Sequence, residues 1–244
     1  MFRFWFLFYI ISSYSIAQNH FNEEGQRIGF WYGYHENGKV KYEGQFVNGQ
    51  EIGEFKYYDV AGNKVLHLHY LDTGKTSVAR LYSSDGFEKA VGKYVNKKKE
   101  GLWSYFNQFG EIYLEEQYEN GELNGDVIYY LNDFLISEKY RYINSLKNGV
   151  GEVFYQSGMI NMRSHYKNGK LYGLSESYYN EMNHSFDNIL DYQRAYYNKK
   201  DLLKLESKGR YNMDFKDSIW IYFSEIGDTL NVVEYNNGKI VIDK

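Results

Sequence analysis

Neither cysteine nor proline occurs in the 244 residues. Without cysteine there is no disulfide, no thiolate zinc site and no cysteine nucleophile. Without proline every residue keeps a backbone N–H to donate, as long runs of paired strands require. No charge of one sign dominates. Lys and Arg total 28 against 32 Asp and Glu, a formal net charge of −4 mixed along the chain. The basic footprint of a nucleic-acid binder is therefore missing. So are the G-x-S-x-G, P-loop and H-E-x-x-H signatures of common enzyme classes. What the chain has in excess is tyrosine, 28 residues, within a 20% aromatic content. Aromatic side chains favour half-buried sheets.

The aromatics recur with a fixed period. Phe46, Tyr70, Tyr94, Tyr118, Tyr142 and Tyr166 are each 24 residues apart, and after a break Tyr211 and Tyr235 resume the step. Asn-Gly follows Phe46, Tyr118, Tyr166 and Tyr235 at the same offset. A second series, Gly29, Gly53, Gly101 and Gly125, opens each copy, with Gly151 and Gly173 following after small slips. A third, Gly38, Gly62, Gly86, Gly110, Gly158 and Gly227, marks a turn inside each copy. Three interleaved registers define a repeat array. Within a copy the alternation of Trp103 with Tyr105 and of Ile112 with Leu114 predicts two strands around a glycine turn. The expected fold is all-β: about eight antiparallel hairpins of 24 residues forming one elongated twisted sheet. The expected core stripe is Phe55 and Tyr57, Trp103 and Tyr105, Val127 and Tyr129, Val153 and Tyr155, Ile219 and Ile221. The next residue, Tyr34, Tyr58, Phe106, Tyr130 or Tyr222, is expected on the other face.

Residues 1–17 stand apart. Arg3 is their single charge, Phe4 begins an apolar run of eight, and Ser15-Ile16-Ala17 has the small-x-small form of a cleavage site. This predicts a cleaved signal peptide, a mature chain from Gln18, and a periplasmic, outer-envelope or extracellular destination. The run is too short for the ~20 apolar residues of a spanning helix. Residues 18–244 then form one repeat domain, interrupted at about 181–191 by a stretch with neither turn glycine nor strand alternation. Residues 192–198 regain strand character, and Ile240 begins a closing strand.

The segment Tyr42-Glu43-Gly44-Gln45-Phe46-Val47-Asn48-Gly49-Gln50-Glu51-Ile52-Gly53 resembles a MORN repeat, whose pattern is close to Y-E-G-x-F/W-x-N-G-x-x-x-G. Residues 114–125 and 162–173 keep its aromatic, Asn-Gly and final Gly. Over nearly all its mature length the chain is similar to the bacterial variant of this repeat, in the YwqK antitoxin family. The resemblance implies stacked hairpins serving as a scaffold or binding surface. Ser77 and Asp217 stand where the pattern has its opening Gly, and Asn96-Lys97 where it has Asn-Gly.

Chemistry-bearing residues are scattered. Of His20, His35, His67, His69, His165 and His184, only His67 and His69 share a strand face and could hold a metal. No third ligand lies at short spacing, and two polar residues on a solvent face is the plainer reading. Glu115-Glu116 and Asp187 with Asp191 could be imagined as acid/base pairs, but exposed strand carboxylates are the default in a water-soluble sheet. Lys97-Lys98-Lys99 is a basic turn that could touch phosphate or anionic lipid but reads more plainly as solubilising charge; membrane contact is possible but not indicated. The expectation is therefore no catalytic, metal or cofactor site. The chain reads as an exported non-catalytic scaffold for a protein or cell-envelope partner, with 181–191 as the non-repetitive surface for specificity. The alternative is an antitoxin-like protein neutralising a cognate toxin; an envelope glycan-acting enzyme has no motif behind it.

Overall fold

The computed structural model describes residues 18–132, 135–180 and 203–241. Among them strands are the only regular structure. A two-residue strand, β1 (His20–Phe21), leads into eight hairpins, and β18 (Lys239–Ile240) follows the last. Copies one to four are β2 (Arg27–Tyr34) with β3 (Val40–Val47), β4 (Gln50–Tyr58) with β5 (Lys64–Tyr70), β6 (Thr76–Tyr82) with β7 (Glu88–Val95), and β8 (Lys98–Phe106) with β9 (Ile112–Glu119). Copies five to eight are β10 (Glu122–Asn132) with β11 (Leu135–Ile143), β12 (Leu146–Phe154) with β13 (Ile160–Lys167), β14 (Lys170–Tyr178) with β15 (Leu205–Asn212), and β16 (Phe215–Phe223) with β17 (Thr229–Asn236). Each strand pairs antiparallel with the next, giving one open meander of 18 strands.

Turn chemistry sets this register. Second strands lead into the next strand through two-residue turns with positive φ at both positions, as at Asn48 and Gly49, Asn120 and Gly121, Asn168 and Gly169, and Asn237 and Gly238. Such type I′ turns match the right-handed twist of the flanking strands. At Asn96 and Lys97 the second position is a lysine at φ 64°. An L side chain is strained there, so Lys97→Gly is expected to stabilise the chain by about 1 kcal/mol. Urea unfolding of the two chains checks this; no gain would mean the turn relaxes around the lysine.

The opening position of every copy but the third is marked by a positive φ, and at six junctions between copies it sits at a bulge. It pairs with the aromatic of its own second strand, as in Gly53 with Tyr70 and Gly101 with Tyr118. Positive φ at Gly29, Gly53, Gly101, Gly125, Gly149, Gly173 and Ser218 marks it. Two of the expected positions are thereby corrected. In copy six the opening residue is Gly149, which pairs with Tyr166, and not Gly151. The glycines at 149 and 151 share strand parity, so alternation alone does not separate them. With Gly149 in place the period runs to Gly173 without a slip. In copy eight the opening residue is Ser218, paired with Tyr235, and not Asp217. A one-residue shift moves every side chain to the other face. Trp220 is therefore buried and Ile219 is exposed, and the outward aromatic is Phe223 rather than Tyr222.

The stripe two residues after the opening is the core: Trp31, Phe55, Ala79, Trp103, Val127 and Trp220 are buried. Phe55, Trp103 and Trp220 each lie over a glycine of the preceding copy. A Cβ at Gly44, Gly92 or Gly209 would overlap Phe55, Trp103 or Trp220 respectively. The indole N–H groups of Trp103 and Trp220 donate to the Lys93 and Arg210 carbonyls, 3.2 and 3.0 Å away. Successive rings touch edge to face, Phe46–Phe55 at 5.1 Å and Tyr94–Trp103 at 5.0 Å. This packing closes the core along one face of a single sheet.

The interruption falls inside copy seven. Tyr166 and Tyr211 are 45 residues apart instead of 24, yet β14 and β15 pair in full, and the Tyr179 N–H donates to the Lys204 carbonyl. The extra chain is thus inserted at a hairpin tip without breaking the ladder. The expected leader at 1–17, the stretches 181–191 and 192–198 with His184, Asp187 and Asp191, and residues 242–244 of the expected closing strand lie outside the described residues.

Candidate binding surfaces

Along the aromatic face a second series runs two residues before each opening position: Arg27, Glu51, Lys75, Lys99, Leu123, Lys147, Leu171 and Lys216. Most of these side chains fill the gaps between successive aromatics. Lys99 is directly across from Tyr94, and its ammonium lies 4.6 Å from the Trp103 and Tyr118 ring centroids. It donates to the Tyr105 hydroxyl at 2.6 Å, and that hydroxyl donates to Glu116 at 2.5 Å. Lys147 lies 3.1 Å from the Tyr140 centroid and Lys216 4.2 Å from that of Trp220. Burial holds the Lys99 and Lys147 ammoniums below the usual lysine value, against the pull of Glu116 and Glu138. Desolvated cation–π contacts of this kind contribute about 1–2 kcal/mol each.

The series breaks between copies two and three. Six of the seven junctions between copies carry a bulge. The junction of β5 with β6 has none: Tyr70 faces Ser77 and Leu68 faces Ala79. Ser77 replaces the opening glycine, the chain turns through the longer loop 71–75, and Lys75 is carried out into it. The result is a cavity of about 240 Å³ walled by Tyr57, Tyr70 and Tyr94 over Leu66 and Leu68. Glu51, Lys75 and Lys97 stand at its mouth. Burial, followed by the Glu51 carboxylate, pushes the Tyr57 phenol up to about 12 and raises Tyr70 as well. Tyr94 is raised by burial.

The opposite face is the more polar one, although Phe30, Leu102, Val150, Leu174 and Ile219 stand exposed on it. Its charges form a cross-strand row, Lys139, Glu152, Arg163, Glu176 and Lys208, one residue per strand from β11 to β15 with alternating sign. Arg163 pairs with Glu152 at 2.9 Å, and Asp126 takes both Lys139 and Arg141 at 3.0 and 3.1 Å. Opposite charges facing each other across strands support the ladder by about 0.2–1 kcal/mol per pair. Here too lie the aromatics just past the core stripe: Tyr58 donates to Glu43 and Tyr130 to Glu115.

His67 and His69 do share this face, and the fold brings Glu54 between them, its two carboxylate oxygens meeting one ring each. Burial opposes ionisation of Glu54, but His69 and His67 together hold its carboxyl below the ordinary value. The carboxylate satisfies both rings, and among the described residues no group of three or more His, Asp or Glu is arranged to hold a metal. Glu115 and Glu116 point to opposite faces: Glu115 accepts from Ser104 and Tyr130, Glu116 from Tyr105 and Tyr118. Adjacent strand residues cannot form an acid/base pair across a sheet. The basic triplet is not one turn. Lys97 is at the tip and 79% exposed, whereas Lys99 is caged on the aromatic face. The spacing of Lys99 and Lys147, two 24-residue periods apart, was the available signal for that role.

No protein-family model matches the chain, and no curated protein does. Among solved structures, a point mutant of S. aureus TarM in complex with fondaparinux, alpha-GlcNAc-glycerol and UDP aligns at 11% identity and a TM-score of 0.32, over 39% of this chain and 19% of that one. A second structure of TarM aligns at 12% identity and a TM-score of 0.31, over the same shares. The aligned part is thus about a fifth of their length.

Proposed function

We propose that the chain is a non-catalytic scaffold of MORN-like repeats, exported by its leader, that holds a protein or cell-envelope partner against its aromatic face. The observation that carries this reading is the cavity between copies two and three. It opens where an otherwise regular, self-filled series is interrupted, and it combines an apolar floor, three tyrosine walls and a few charges, the make-up of small binding sites. The separation of Glu115 from Glu116 on opposite faces favours binding over acid/base chemistry. The family reading rests on the motif around Tyr42, Phe46 and Asn48-Gly49.

Two measurements in the chain's own host cells test it. Fractionation with intact mass is expected to find a protein beginning at Gln18 outside the cytoplasm. A cytoplasmic chain that retains Met1 would overturn export and leave the antitoxin reading in its place. A photo-crosslinking phenylalanine analogue at position 94, on the aromatic face, is expected to yield an adduct. The same analogue at 165, on the polar face, is expected to yield none. Adducts from 165 alone would move the binding surface to the polar face.

A further inference from the structure

Seven gaps separate the eight aromatics from Phe46 to Tyr235 on the aromatic face. In six of them the next copy's residue two before the opening pairs directly with the aromatic: Glu51 with Phe46, Lys99 with Tyr94, Leu123 with Tyr118, Lys147 with Tyr142, Leu171 with Tyr166, Lys216 with Tyr211. Three of the six occupants are lysines, their ammoniums lying against neighbouring rings. The seventh gap, between Tyr70 and Tyr94, is the cavity, because Ser77 takes the pairing position and Lys75 is displaced into the loop.

We propose that this gap is a binding site for an alkylammonium group presented by a partner, a slim aliphatic stem ending in a primary or quaternary nitrogen. The proposal rests on the reading of the aromatic face as a binding surface and names what that surface takes. The chain's own Lys99, Lys147 and Lys216 are the templates for the pose. The volume of about 240 Å³ leaves room for a stem of several carbons with its head group. The counter-ion is Glu51, which occupies the series position where copies four, six and eight carry lysine. Its side chain is 22% exposed and it stands close enough to Tyr57 and Tyr70 to act on both phenols. The two lysines at the mouth do not cancel it. Lys97 meets Glu51 only at 3.9 Å and is 79% exposed, so displacing it costs little. Lys75 is exposed in the loop beside Asp72, whose carboxylate it helps to hold ionised.

The test is a nuclear magnetic resonance titration of the mature chain with three probes: choline, n-butylammonium, and 3,3-dimethylbutan-1-ol, the neutral isostere of choline. At least one cation is expected to bind saturably, with shifts confined to the surroundings of Tyr57, Tyr70 and Tyr94, and the isostere about tenfold more weakly or not at all. A preference for butylammonium assigns the natural head group to a lysine-like side chain, a preference for choline to a quaternary amine. Glu51→Gln, a near-isosteric change, is expected to weaken cation binding about tenfold. Glu51→Lys is expected to abolish it while leaving the chain at least as stable, because the lysine recreates the arrangement of Lys99. Equal binding of the neutral isostere, unchanged affinity in Glu51→Gln, or no saturable shift with either cation would overturn the proposal. The crosslink from position 94 reads the binding surface independently of these outcomes.

Discussion

Adding one methyl group at Gly92 is expected to cost about 3 kcal/mol and to split the unfolding of the array in two. Gly92 lies in the strand beneath Trp103, and a Cβ there would overlap Cγ, Cδ2 and Cε2 of the indole. The ring cannot step aside cheaply. It is fully buried, stacked edge to face on Tyr94, capped by the Lys99 ammonium, and bonded through its N–H to the Lys93 carbonyl. Forcing it out therefore loses part of the ~3–5 kcal/mol that deleting such a ring removes. In a repeat array each copy contacts only its neighbours, so a weakened junction uncouples the blocks on either side. Copies one to three should then melt apart from copies four to eight, and urea unfolding followed by tryptophan fluorescence should show two transitions. The companion variant fixes the cause. In a Trp103→Ala background the obstacle is gone, and Gly92→Ala should gain about 0.5 kcal/mol, because glycine is a poor strand residue. A Gly92→Ala cost that persists without the indole would refute the ring-on-glycine account.

The same arrangement explains what the sequence could and could not show. Phe46, Tyr70, Tyr94, Tyr118, Tyr142 and Tyr166, resumed after the break by Tyr211 and Tyr235, occupy one register position in each copy, and their spacing pointed to eight hairpins. The opening position was legible where a lone glycine marked it, at Gly29, Gly53 and Gly101. At Gly149 and Gly151, and at Asp217 and Ser218, the choice depends on which residue faces the second-strand aromatic. That is a pairing property, and counting back 17 residues from Tyr166 and Tyr235 recovers it. Ser77 was visible as a departure, but its effect was not. Losing a bulge changes the pairing of Tyr70, which removes Lys75 from the face and opens a cavity. Such a cavity is a missing side chain, and sequence patterns report the side chains that are present. The Glu54 carboxylate between His67 and His69 was hidden for a related reason, since the glutamate reaches them from the neighbouring strand.

Above pH 10 the array is expected to lose several kcal/mol of stability by pH 12, about 2.7 kcal/mol of it from Tyr57 and Tyr118 together, so that alkali unfolds it cooperatively. Among the described residues thirteen tyrosines are raised above their ordinary value of 10, twelve of them with burial as the first cause. Tyr57 and Tyr118 are pushed up to about 12. Two pKa units correspond to about 2.7 kcal/mol, and solvent at the ring edges cuts this to roughly half. The sign follows from the protons. Below pH 10 folded and unfolded chains both hold the phenol proton, and the stability is complete. Between pH 10 and 12 the unfolded chain has released it and the folded chain has not, so each further unit favours unfolding. Lys99 and Lys147 act in the opposite sense, because their lowered values make the folded chain release a proton first, but they are two against thirteen. The acid side is shallower. The carboxylates held below their ordinary values are Glu54, Asp59, Asp72 and Asp126, all on the polar face or in loops. Circular dichroism and tyrosinate absorbance followed together through an alkaline titration decide the matter. A single cooperative step in both signals is expected. Tyrosinate absorbance that rises gradually around pH 10 while the circular dichroism stays constant would mean that these rings are open to solvent, and the aromatic face would then not be the core of the sheet.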